Sequence, residues 1–211
     1  MLIPDNILRR QLGNVYFIWG SGKTTAANEL ARLYGGYVYH TDESRARHCR
    51  NADPRYQPAL CRDVPDYWAL EPSDAQAWER DIVREMTPMI IAELMGLSAQ
   101  YERIWCEGDI DVDAVAAISS NIVTIVNLGD GYDFFDRPDQ RGMLDDILRA
   151  GLTDEEKRVR LENAYKIVGR DAPAELPREI AQYGVGRIDR DGSSTPEETA
   201  RLIAAYFNIK E

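Results

Sequence analysis

Apolar residues along the chain follow two alternating patterns. Short unbroken runs mark strands, and longer stretches with apolar positions every three or four residues mark helices. Residues 14–19 (NVYFIW) are apolar, aromatic and β-branched, the profile of a strand buried on both faces. The run breaks at Gly20-Ser21-Gly22, and a helix is predicted over 23–34 with Ala27, Leu30, Ala31 and Tyr34 on one face. Gly35-Gly36 ends it, as a C-terminal glycine should. Residues 37–40 (YVYH) form a second strand that runs into Thr41-Asp42-Glu43. From 44 to 72 the period is lost and prolines punctuate the chain, which predicts short helices and loops over a site. The helical period returns over 74–97 through Trp78, Ile82, Met86, Ile90 and Leu94. Strands follow at 103–106 and 121–128, separated by a helix over 112–119. Residues 130–171 read as a polar helical hairpin broken near Gly151, with Thr153 as N-cap and Glu156 as its capping-box partner. A weaker fifth strand covers 183–188, and Thr195-Pro196-Glu197-Glu198 caps a last helix that runs to about 207. Five strands alternating with helices predict an α/β domain with a parallel sheet covered on both faces. Ligands of such sheets bind at the carboxyl ends of the strands, where the polar turns should converge.

Composition narrows the partners. The chain has 211 residues, the length of one domain. Its 25 Lys and Arg against 36 Asp and Glu give a formal net charge of −11, which argues against nucleic acid because a duplex needs a basic face. A small phosphorylated ligand in one local basic pocket stays compatible with that charge. Cys49, Cys61 and Cys106 are too few for a disulfide scaffold and suit a reducing cytoplasm. No apolar run reaches the roughly 20 residues of a membrane span. The first residues lack the apolar core and cleavage site of a secretory leader. The expected protein is cytoplasmic, a monomer or homodimer, with a small-molecule partner.

The most specific signal is the first strand-to-helix turn, Gly20-Ser21-Gly22-Lys23-Thr24-Thr25. Glycines let backbone N–H groups curl round phosphate oxygens, and the helix amino end adds partial positive charge. Lys23 is placed to reach the β- and γ-phosphates and the Thr24 hydroxyl to bind Mg²⁺. The usual spacing, G-x-x-x-x-G-K-S/T, would put glycine at position 17, which is Phe17. The loop is therefore about two or three residues short of that spacing. A plain strand–turn–helix connection would use the same residue types.

Further polar residues stand in a telling order: Asp42 after the second strand, Glu107-Gly108 after the third, then Arg137 and Arg141 before the hairpin. With Gly22-Lys23-Thr24-Thr25, this order resembles the small P-loop kinases, which include adenylate, shikimate and gluconate kinases and chloramphenicol phosphotransferase. The likeness is greatest to bacterial P-loop ATPases or kinases with a Lys-Thr-Thr loop. The resemblance implies a three-layer α/β/α P-loop fold, its five-stranded parallel sheet in the order 2-3-1-4-5. It implies one domain over 1–211, a substrate-covering region over 44–100 and a helical lid over 130–171. ATP and Mg²⁺ are the implied cofactors, and the implied reaction moves the γ-phosphoryl group to a hydroxyl or phosphate of a small molecule. In that scheme Asp42 orients or deprotonates the acceptor. Glu107 holds Mg²⁺ through water, beside Thr24. Arg137 and Arg141 join Lys23 in steadying the phosphates as the site closes.

Alternatives stay open at several positions. Asp42 would also serve as an N-cap, and Glu43 could replace it in the chemistry. Asp109, Asp111 and Asp113 are expected to cap and solvate the next helix, and Asp191-Gly192-Ser193 to form an ordinary turn. His40, His48, Cys49 and Cys61 match no zinc spacing. Tyr56, Tyr67, Trp68 and Trp78 are expected in the core rather than in a pocket. The shortened loop keeps two other functions in view: a nucleotide- or phosphate-binding module without catalysis, and an NTP hydrolase.

Overall fold

The computed structural model describes residues 4–64, 66–127, 141–167, 182–190 and 193–210. A parallel sheet is built from β1 (Val15–Gly20), β2 (Tyr37–His40), β3 (Ile104–Glu107), β4 (Ile122–Asn127) and β5 (Gly186–Arg190). Its order is β2-β3-β1-β4-β5, and every neighbouring pair is parallel. This is the five-stranded parallel α/β arrangement, in the order 2-3-1-4-5, that was expected. The helices are α1 (Asp5–Gln11), α2 (Lys23–Tyr34), α3 (Thr41–Asn51), α4 (Pro72–Ser98), α5 (Val112–Ile118), α6 (Arg141–Ile147), α7 (Asp154–Ile167) and α8 (Pro196–Tyr206).

Strand alternation divides the core into two layers. Val15 and Phe17 of β1, with Ile104 and Cys106 of β3, pack against Ile90 and Leu94 of α4 and Val115 of α5. Ile18 and Trp105 face the other way, onto Ala27 and Leu30 of α2 and Ile203 of α8. A third cluster lies outside the sheet: Trp68 and Ala75 pack on Ile147, Ala164 and Ile167. It docks the α6–α7 hairpin onto the segment before α4. Asn163 Nδ2 donates to the carbonyls of Trp68 and Leu70 at 3.2 and 2.9 Å. Arg160, 3% exposed, pairs with Asp66 at 2.9 Å.

Most predicted elements appear where expected, including the capping boxes at Thr153 and Thr195. Residues 44–51 depart from expectation, because α3 follows β2 directly and is a full helix. Its sequence has no apolar period because its buried residues are Thr41, Ser44 and His48. Polar partners anchor it: His48 contacts Glu93 of α4, and Arg47 forms a two-pronged pair with the same carboxylate. The fifth strand begins at Gly186 rather than 183. Helix α1, absent from the sequence pattern, buries no residue and instead grips α5 through Arg9, which donates to the Ala117 carbonyl. No helix among the described residues is long and apolar enough to cross a membrane.

Candidate active site

The sheet order brings the carboxyl ends of β1, β3 and β4 side by side, and the candidate site forms there. Strand β1 ends at Gly20, and helix α2 begins at Lys23, so Ser21 and Gly22 alone connect them. The shortening therefore falls between Gly20 and Lys23. Gly20 has φ +86°, and a Cβ there would collide with the Ile125 carbonyl of β4. The Ser21 amide donates to that same carbonyl at 3.0 Å, which removes it from any ligand. Gly22, at φ 75°, precedes α2 without a side-chain cap, and the first helical bond runs from the Ala26 amide to the Gly22 carbonyl. The amides of Lys23, Thr24 and Thr25 are the uncapped donors of the helix end, which suits an anion.

Glu107 organises the floor. It ends β3, is 2% exposed, and accepts from the Thr24 hydroxyl at 3.0 Å through Oε2. Its Oε1 lies 2.6 Å from His40 Nδ1 at the end of β2. A carboxylate only accepts, so that nitrogen carries the hydrogen. His40 thereby holds Glu107 facing the loop hydroxyl. Gly108 follows with φ +123°, and any Cβ there would collide with the Thr41 hydroxyl, which is buried and has no hydrogen-bond partner. A buried carboxylate joined to the loop threonine fits a Mg²⁺ position held through water and phosphate oxygens. Among the described residues no cluster of three or more His, Cys, Asp or Glu forms a cage for a metal by itself. Among the described residues His40, His48, Cys49 and Cys61 do not gather into such a cluster.

Asp42 lies in the first turn of α3 and is exposed. The N-cap position belongs to His40 and carries no side-chain bond, so Asp42 does not cap the helix. Glu43 shares that first turn and is exposed too. Asp111 caps α5, accepting from the Asp113 amide at 3.1 Å, as expected for both. Asp109 does not join them. It is exposed as a residue, although protein atoms crowd its carboxyl. That desolvation raises its carboxyl above the ordinary range; Lys23 opposes the shift, while Asp42, Glu79 and Glu107 reinforce it. Sequence reasoning missed Asp109 because neighbouring aspartates disguised it as part of a capping run. It also missed Arg45 and Glu79, which form a two-pronged pair at 2.9 and 3.1 Å between α3 and α4.

Arg137 lies outside the described residues. Arg141 opens α6, but its side chain lies outside them as well. Three other arginines of the hairpin are engaged by acids: Arg158 pairs with Glu155 and Glu162, and Arg149 and Arg160 with Asp66. Asp191 and Gly192 also lie outside the described residues. Of the four aromatics expected in the core, Trp68 is buried and Tyr56 is 73% exposed. A depression of about 520 Å³ beside Glu29, Glu197 and Arg201 is lined by none of the loop residues.

No family model matches the sequence, and no curated protein matches it. Among solved structures, dephospho-CoA kinase from Campylobacter jejuni is similar at 13% identity, over 92% of this chain and 96% of that one, with a TM-score of 0.44.

Proposed function

We propose that the protein is an ATP-dependent kinase that transfers the γ-phosphoryl group to a small-molecule hydroxyl. The observation that carries this reading is the bond from the Thr24 hydroxyl to buried Glu107, directly beside Lys23 at an uncapped helix end. The Thr24 hydroxyl and Glu107 would hold Mg²⁺, which when bound would neutralise phosphate charge. Lys23 would neutralise the β- and γ-phosphates. The amides of Lys23, Thr24 and Thr25 would donate to phosphate oxygens. Asp42, with Asp109 nearby, would orient the acceptor and take its proton. Carboxylates on the acceptor side favour a neutral hydroxyl over a phosphate acceptor, since like charges repel. Glu79 already holds Arg45, so that cation is not free to offset them.

Calorimetry with Mg·ATP tests the reading. Saturable binding is expected, and Lys23→Ala should abolish it while the protein still unfolds cooperatively. A folded Lys23→Ala protein that binds as tightly as the wild type would remove the loop from the site. The two-residue connection favours one second reading, a nucleotide-binding module without catalysis, because fewer amides face the phosphates. Binding without turnover across a panel of hydroxyl metabolites would select it. ATP turnover that ignores every acceptor would instead indicate an NTP hydrolase.

A further inference from the structure

Arg190, the last residue of β5, reaches across the carboxyl edge of the sheet to the shortened loop. A methyl group placed on Gly22 would lie 2.5 Å from its Nη1, so the guanidinium covers that glycine. Nη2 donates to the Ser194 carbonyl at 3.3 Å, and the buried Nε has no hydrogen-bond partner. Among the described residues no carboxylate pairs with Arg190, and none pairs with Lys23. This is unusual in a chain of net charge −11, whose other arginines near the sheet and hairpin pair with acids. Arg190 and Lys23 thus bring two side-chain cations to Gly22 at the positive end of α2, a convergence of charge that favours an anion.

We infer that Arg190 is a phosphate-binding residue of this site, its guanidinium taking the place of the backbone donors that the short loop lacks. A standard loop surrounds the phosphates with amides, whereas here the Ser21 amide is spent on Ile125. A guanidinium offers a planar fork of donors to phosphate oxygens. Gly22 is then required twice, for its positive φ and for the room Arg190 takes above it.

The inference rests on the nucleotide site proposed above, and the test separates the two. Calorimetry would compare the wild type, Arg190→Gln and Arg190→Lys with Mg·ATP, inorganic triphosphate and adenosine. Arg190→Gln should weaken Mg·ATP and triphosphate by a similar factor of about tenfold or more, the loss of a charge-assisted pair of bonds. Any adenosine affinity should stay unchanged. Arg190→Lys, which keeps charge but loses the fork, should fall between. The melting temperature of the unliganded Arg190→Gln protein should hold or rise, because an unpaired cation has gone; a structural role would lower it. Wild-type triphosphate affinity retained in Arg190→Gln overturns this inference alone. A wild type that binds neither Mg·ATP nor triphosphate overturns it together with the nucleotide site.

Discussion

Asp42 and Asp109 are the two carboxylates that the proposed reaction would place on the acceptor side. Asp42 is exposed in the first turn of α3 and carries no capping duty, so its carboxylate is available for chemistry. Asp42→Asn keeps the shape and loses the base. Its kcat should fall by about 10²–10⁴-fold, with the Mg·ATP dissociation constant nearly unchanged. A large loss of Mg·ATP affinity would place Asp42 on the metal, and no loss of kcat would pass the role to Asp109 or Glu43. Asp109 tests a different balance. Desolvation penalises its ionised form in the folded protein, and that penalty grows as pH rises above the ordinary aspartate value of 3.8. Asp109→Asn should therefore raise the melting temperature at neutral pH, with the gain vanishing in strong acid. It should also slow turnover, because a carboxylate held against desolvation near Lys23 serves function rather than stability. Melting curves at neutral and acid pH check the first half, and steady-state rates the second.

The element that decides the site is the β1–α2 turn. Its shortness makes Gly20 press on the β4 backbone, where the Ile125 carbonyl receives the Ser21 amide. Gly20→Ala combines a left-handed φ with a backbone collision. It is expected to lose on the order of 3 kcal/mol, read as a lower urea midpoint with unchanged slope. A loss much below that would mean the turn can shift away from β4. Helix α3 makes a second point at this scale. It is mostly polar and its buried residues are Thr41, Ser44 and His48, so pairing joins the small apolar contact of Cys49 in tying it to the domain. Glu93 of α4 receives Arg47, His48 and Tyr39 together.

For the molecule as a whole, Glu93 links α3, α4 and β2 in one polar knot. Burial alone would push its carboxyl up, but the hydrogen bonds from Arg47, Tyr39 and His48 win and hold it at about 2 instead of 4.5. A depressed carboxyl stabilises the fold above its unfolded value and loses that contribution as pH falls from 4.5 towards 2. Solvent screening at this partly exposed position reduces the contribution to about 1 kcal/mol. Wild type should accordingly lose stability over that window by about 1 kcal/mol more than Glu93→Gln, measured by denaturant midpoints across pH. Parallel curves for the two proteins would show that the knot adds nothing. The α6–α7 hairpin is the other whole-molecule feature, since Arg160 and Asn163 fasten it to the segment before α4 and not to the phosphate loop.

Local periodicity carried much of the fold. Unbroken apolar runs marked β1 and β4 because a parallel strand is covered on both faces, and capping boxes marked α7 and α8 because they use only neighbouring residues. The β1–α2 turn was legible for the same reason: Gly22, Lys23 and Thr24 stand within a single turn of chain. Helix α3 escaped because its buried face is mostly polar, and periodicity detects only apolar faces. The rest of the site depended on strand order. His40, Glu107, Asp109 and Arg190 come from three different strand ends, and only the parallel sheet in the order 2-3-1-4-5 sets them around one loop. No spacing in the chain relates Arg190 to Gly22, because their contact arises from the convergence of β1, β4 and β5. Pairing is equally non-local: which cations meet a carboxylate and which gather at the loop is settled only when the sheet and its helices are assembled.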